Sequence, residues 1–171
     1  MIKKLTIPVD HGNRNMKTTH FLFTTGLSAT DRKPAGREDF LQTEGKYYVL
    51  SGRRIPYQRD KTQDERFSIL TKFAIAKELE RTGQVTEEDV VQVSLPIGVP
   101  PKHYAELAER YREYFLGDGK VQELVYNGKT YHTCIRDVAV YPQAYAAMMT
   151  EGEKIRQIPK AVGIDIGGFT S

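Results

Sequence analysis

The segment that most constrains this chain is Asp89-Val90-Val91-Gln92-Val93-Ser94-Leu95, a near-continuous β-branched run set between two stretches of helical periodicity. Runs of this kind suit a strand buried in a parallel sheet, and helix–strand–helix order implies a parallel connection. On its N-terminal side, Asp64 stands as a cap for a helix reaching about Thr82. Phe67, Leu70, Phe73, Ala74 and Leu79 form a broad apolar face there, and Gly83 is the stop. On its C-terminal side, a second helix begins near Pro101 and ends by Gly117. Its Tyr104, Leu107, Ala108, Tyr111 and Phe115 fall at i, i+3, i+4, i+7 and i+11, one stripe that reads as core rather than as a cofactor pocket.

The flanking sequence extends this α/β pattern. Leu5, Ile7 and Val9 alternate with polar or small residues, giving a half-buried strand that ends at Asp10. A turn follows at 11–15, and strand-like sequence resumes from Met16 to Thr25, so residues 3–25 read as a hairpin and a third strand. Residues 26–45, rich in glycine and charge, read as a long surface loop. Tyr47–Leu50 is a short strand, and another polar loop runs through Gln63. Beyond the second helix, Val121–Tyr126 and Lys129–Val138 flank Asn127-Gly128, the strongest short hairpin signal. A strand through Tyr141 meets Pro142, where a short helix, Gln143–Thr150, is expected. Ala161 to Gly168 reads as a strand entering a glycine turn.

Composition narrows the class. A length of 171 residues suits one domain, and 39% apolar with 27% charged residues describes a folded chain with a polar surface. No run approaches the roughly 20 apolar residues of a membrane span, and no charged-then-apolar leader is read at the N-terminus. The single cysteine, Cys134, excludes an intrachain disulfide framework, fits a cytoplasmic setting, and is expected as a small buried residue. Charge is uneven: residues 1–63 carry 12 Lys and Arg against 6 Asp and Glu. Arg32, Lys33, Arg37, Arg53, Arg54, Arg59 and Lys61 read as a solvated basic loop region. Aromatics that stack bases are sparse there, which argues against direct nucleic-acid reading.

One chemical pattern occurs twice. Val9-Asp10-His11-Gly12 and Ile164-Asp165-Ile166-Gly167-Gly168 are each an apolar strand delivering an aspartate and a glycine turn. A turn without bulky Cβ groups lets backbone N–H groups approach phosphate oxygens, and an aspartate beside it can hold the waters of a Mg²⁺ that bridges phosphates. Lys17 lies across the first hairpin, where it can neutralise phosphate charge, and Asn13 and Thr170 can donate further hydrogen bonds. Between the two hairpins stands Tyr141-Pro142-Gln143, whose glutamine amide can hold an attacking water without ionising.

Together these segments resemble the actin-like ATPase superfamily, and within it the ParM/StbA-like plasmid-segregation branch. The resemblance rests on IPVDHGNRNMKT, FSILTKFAIAKEL, VVQVSLPIGVP, DVAVYPQA and VGIDIGGFTS, in family order. It implies an actin-like (ribonuclease H-like) lobe, a mixed five-stranded sheet with flanking helices. Residues 1–158 would be the N-terminal domain, and 159–171 the first strand and phosphate-2 turn of a second, incomplete one. Asp10, Gly12, Asn13 and Lys17 would face phosphate and metal, and Asp165, Gly167, Gly168 and Thr170 would form the second clasp. Asp10 and Asp165 would hold Mg²⁺ through water, and Gln143 would position the hydrolytic water. ATP (or GTP) with Mg²⁺ is the implied cofactor of the complete protein, which would assemble into filaments and reach DNA through a separate adaptor. Where many actins place serine and glycine after Gly12, this chain reads Asn-Arg-Asn. A non-catalytic lobe that binds or caps an actin-like protomer is the alternative, and a sugar-kinase or chaperone-type ATPase relative the weaker one.

Overall fold

The computed structural model describes residues 1–36, 39–160 and Val162. The run that opened the sequence reading becomes β8 (Val90–Val99). It is flanked by β1 (Ile2–Thr6) and by β10 (Lys129–Pro142), both parallel to it. Antiparallel neighbours then extend the sheet through β9 (Gln122–Tyr126), β6 (Phe40–Thr43), β7 (Lys46–Leu50) and β5 (Leu27–Thr30). The mixed α/β class is the expected one, but the sheet has seven strands, in the order β1-β8-β10-β9-β6-β7-β5, rather than five. Two of its strands, β5 and β6, come from residues 26–45, read as loop. β5 and β6 both pair with β7, and β6 also pairs with β9. Non-local ladder bonds thus override the local turn propensity of that segment.

Burial along β8 alternates strictly. Val91, Val93, Leu95, Ile97 and Val99 are buried, while the residues between them are half-buried. The buried set joins one core cluster with Phe67, Leu70 and Phe73 of α1 (Arg66–Thr82) and Leu107, Tyr111 and Phe115 of α2 (Tyr104–Leu116). The aromatic stripe of the second helix is therefore core. Pro101–His103 form a short 3-10 turn ahead of α2, and Gly83 ends α1 in the left-handed conformation, φ 62°. Asp64 serves the start of α1 from one residue before the cap position, its Oδ1 accepting from the Arg66 N–H at 3.0 Å. The two helices are tied where Tyr114 Oη donates to the Asp64 carbonyl at 2.8 Å and accepts from the Ser68 N–H at 3.1 Å. Asn127 and Gly128 turn the β9–β10 hairpin with φ of 52° and 86°. Cys134 is buried within β10.

The N-terminal segment divides differently from the single hairpin-plus-strand reading. After β1 the chain keeps company with β8, the Ile7 N–H donating to Ser94 and the Val9 N–H to Pro96. It then leaves to form a separate three-stranded antiparallel sheet, β2 (Asp10–His11), β3 (Asn15–Lys17) and β4 (Leu22–Thr24). Residues 16–25 are thus two short strands around a turn rather than one strand. At the far end of the chain, α3 (Tyr145–Thr150) and α4 (Gly152–Ile155) follow β10. The short helix does not start at Gln143. The Gln143 N–H donates to the Val99 carbonyl at 2.7 Å, and Ala144 takes a left-handed φ of 64°, so helical geometry begins only at Tyr145. The expected strand and glycine turn from Ala161 to Gly168 lie outside the described residues.

Candidate functional site

The β2–β3 turn is closed by sterics that admit only a glycine. A Cβ on Gly12 would run into the Asn15 carbonyl oxygen, and the Gly12 carbonyl accepts from Thr25 Oγ1 at 2.7 Å. The turn is further held from outside by Asn13, whose Oδ1 accepts from the Gln58 N–H at 3.3 Å, and by the Arg14 carbonyl, which accepts from the Thr25 N–H. Asn13 thus braces the hairpin through its side-chain oxygen. Arg14, the bulky departure from the actin pattern, lines an open cavity of about 520 Å³ with Asn15, Thr24, Gly52 and Arg54.

Antiparallel pairing sets Lys17 directly opposite Asp10, and the ammonium stands 3.3 Å from Asp10 Oδ2. Both groups reach water, at 57% and 41% side-chain exposure. The other carboxylate oxygen, Oδ1, accepts from Gln143 Nε2 at 3.4 Å. Gln143 arrives from the end of β10, with its Cγ above Gly98 of β8, where a Cβ would stand only 3.0 Å away. Parallel strands therefore bring to one spot three polar residues widely separated in sequence: Asp10, Lys17 and Gln143. Asp165, Gly167, Gly168 and Thr170 lie outside the described residues.

Beneath the hairpin, His11 is fully buried and stacks on Phe115 with ring centroids 4.4 Å apart. Thr71 Oγ1 donates to the Phe67 carbonyl, so it accepts from His11 Nε2 at 2.7 Å, which fixes the Nε2–H tautomer. The remaining ring nitrogen, Nδ1, is buried without a partner among the described residues. Burial, followed by the charge of Lys61, pushes the His11 pKa down to about 3, so the imidazole is neutral.

Lys61, expected among the solvated loop cations, is instead 3% exposed, in a 3-10 turn (Lys61–Gln63) ahead of α1. Desolvation lowers its pKa to about 8, against the opposing pull of Asp10. Long loop lysines rarely bury their ammonium, so no composition signal marked it. The buried acids Asp89 and Glu78 act elsewhere. Asp89 anchors Lys3 at 2.9 Å near the chain start, while Glu78 of α1 holds the β3–β4 turn through Thr18 and His20.

Residues 8–145 match the family model described as the N-terminal domain of actin-like proteins. The chain belongs to the actin-like protein family. Its fold is shared with solved members of that group. A 15-stranded ParM filament from Clostridium botulinum aligns with a TM-score of 0.66 at 15% identity, over 96% of this chain and 56% of that one. An AlfA filament bound to AMPPNP aligns with a TM-score of 0.63 at 15% identity, over 85% and 56%. The archaeal actin homolog Ta0583 aligns with a TM-score of 0.62 at 18% identity, over 88% and 49%. The actin-like chain thus spans about half the length of the structures that it matches. Among curated proteins, none matches it.

Proposed function

We propose that this actin-like chain is the first lobe of a nucleotide-dependent, filament-forming protein of plasmid DNA segregation, with residues 1–158 forming that lobe and 159–171 opening the second. The observation that carries the reading is the meeting of Asp10, Lys17 and Gln143 beside a turn that only Gly12 can close. AMPPNP in the AlfA filament supports a nucleotide as the ligand, and the filaments among the structural matches support self-association. The nucleotide is ATP or GTP. DNA is reached through an adaptor protein, and the setting is cytoplasmic.

The residues present fit a nucleotide with Mg²⁺. Gly12 lets the turn close on the Asn15 carbonyl, where a Cβ would not fit, and Asp10 offers an exposed carboxylate of the kind that holds Mg²⁺ through its waters. Mg²⁺, when bound, would supply positive charge to the triphosphate. Asp10 would hold the hydrated ion, with Asp165 as its counterpart. Lys17 neutralises phosphate charge, Asn13 braces the turn, and Gly167, Gly168 and Thr170 complete the second clasp. Gln143 donates its amide N–H to Asp10, which leaves the amide oxygen to accept from a water. That water attacks the γ-phosphorus in line as the bond to the β–γ bridging oxygen breaks, and its proton passes to the inorganic phosphate released with the diphosphate. Clamping from both lobes excludes bulk water, so hydrolysis belongs to the complete protein.

The test is nucleotide-dependent polymerisation of the full-length protein. Pelleting and phosphate release with ATP or GTP and Mg²⁺ are expected. Their absence with both nucleotides contradicts the reading.

A further inference from the structure

The turn that Gly12 closes is locked to a second loop, residues 51–58, through Thr25 and Gly26. The Thr25 N–H donates to the Arg14 carbonyl at 3.0 Å, its Oγ1 donates to the Gly12 carbonyl at 2.7 Å, and its carbonyl accepts from the Ile55 N–H at 2.8 Å. The Gly26 carbonyl accepts from the Ser51 N–H at 3.0 Å, and a Cβ on Gly26 would run into the Ser51 and Arg53 carbonyl oxygens. Thr25 is fully buried and Ile55 nearly so, while Arg14 and Arg54 stay exposed on either side of the join.

Between them the two loops form the cavity of about 520 Å³ lined by Arg14, Asn15, Thr24, Gly52 and Arg54. Among the described residues, its lining holds two guanidinium groups and no carboxylate, and Arg14 has no ion pair within 4 Å. Strand pleating fixes where this cavity lies relative to Asp10. Asn15 and Lys17 are two apart on β3 and share a face; Asn15 pairs with Thr24, and Lys17 with Asp10. The opposite face carries His11 and Met16, both fully buried. The cavity therefore opens on the same outward face as the Asp10–Lys17 pair, roughly 7 Å further along the strand.

We propose that this cavity is a second anion subsite, in which Arg14 and Arg54 take the terminal phosphate of a nucleoside triphosphate whose inner phosphates lie at Lys17. The inference rests on the nucleotide-binding reading above. Guanidinium groups present a planar fork to phosphate oxygens, whereas the ammonium of Lys17 acts as a point charge. The backbone beneath both arginines is already fixed by the Thr25 and Gly26 bonds, so little reorganisation is needed when phosphate arrives. A nucleoside diphosphate held at Lys17 ends short of the cavity. The subsite thus distinguishes triphosphate from diphosphate, and that is the work of the bulky Arg14 in a turn where many actins carry small residues.

The test uses the full-length protein, comparing wild type with Arg14→Gln and Arg54→Gln. Each is titrated with AMPPNP·Mg²⁺ and ADP·Mg²⁺, and with GMPPNP·Mg²⁺ and GDP·Mg²⁺, alongside thermal denaturation. Both side chains are exposed, so the melting temperature should stay close to that of wild type. Affinity for the triphosphate analogue should fall about tenfold or more in each variant, as expected for a lost charge-assisted contact, while diphosphate affinity stays within about twofold. Either variant binding the triphosphate analogue as tightly as wild type overturns the proposal and leaves the nucleotide reading standing. Equal losses for triphosphate and diphosphate, or a melting temperature lowered in both variants, make the arginines general or structural cations and also overturn it. Failure of the wild-type protein to bind any of these nucleotides removes the nucleotide reading, and this proposal with it.

Discussion

Gln143 donates its side-chain amide to Asp10 Oδ1 at 3.4 Å, joining the end of β10 to the start of the β2–β3 hairpin across 133 positions of sequence. The contact exists because β10 runs parallel to β8, and the Gln143 N–H is pinned to the Val99 carbonyl at the end of β8. Gln143 therefore has a fixed backbone, and in the proposed function its amide holds the attacking water. Gln143→Ala is expected to lower phosphate release from the full-length protein about 100-fold. AMPPNP affinity should change by only a few-fold. Steady-state phosphate release and AMPPNP titration check the two expectations separately.

Gly12→Ala forces its new methyl against the Asn15 carbonyl, which is rigid backbone. The hairpin must open to relieve the clash, loosening the Thr25 and Gln58 contacts that brace it. A loss of about 1–3 kcal/mol is expected in denaturant unfolding, together with lost triphosphate binding. Gly45 makes the contrasting control. A Cβ there meets nothing within 4 Å but must adopt φ 76°, so Gly45→Ala should cost stability without touching nucleotide affinity.

Two buried bases set the pH dependence of stability. His11 protonates near 6.5 in the unfolded chain and only near 3 in the fold, so the unfolded chain holds more protons between those values. Stability is then lost as pH falls through that window, at up to roughly 1.4 kcal/mol per pH unit. Lys61 moves from 10.5 to about 8, so the unfolded chain again holds more protons between them, and stability rises as pH climbs above about 8. Above about 10 the slope reverses, because burial raises Tyr114 to about 12 and the fold resists tyrosinate. Urea unfolding from pH 5 to 10 checks this profile. His11→Gln should flatten the limb between pH 6.5 and 5, and Lys61→Met should flatten the one between 8 and 10.

The β3–β4 turn depends on one carboxylate. Glu78 is buried and accepts from Thr18 Oγ1 at 2.5 Å, the His20 N–H at 3.1 Å and His20 Nδ1 at 2.8 Å. Glu78→Gln keeps the shape but loses the charge that strengthens all three bonds. A cost of about 1.5–3 kcal/mol is expected in denaturant unfolding, with faster hydrogen exchange at His20 and Phe21.

The elements legible in the sequence were those with strong local periodicity. The β-branched run became β8, the Tyr111–Phe115 stripe became core, and Asn127-Gly128 became the hairpin turn. β5 and β6 were invisible because their pairing with β7 and β9 is non-local, and the segment between them is rich in Gly, Pro and charge. Of the site, the placement of Lys17 across from Asp10 followed from hairpin spacing. The convergence of Gln143 on Asp10 required the sheet, and its helical setting was misread because Ala144 adopts a left-handed φ that its side chain does not advertise. Lys61 was missed for a related reason: composition assigns a loop lysine to water, whereas the packing of Phe67 and Tyr111 encloses it.

In the proposed function the Asp10 hairpin serves a nucleotide that drives assembly. The measurement is sedimentation of the full-length protein with AMPPNP·Mg²⁺ and with GMPPNP·Mg²⁺, comparing wild type with Asp10→Ala. Wild-type protein should pellet only when nucleotide is present, and Asp10→Ala should stay in the supernatant although its circular dichroism is native. Equal pelleting of the two proteins, or no dependence of wild-type pelleting on nucleotide, would contradict the claim.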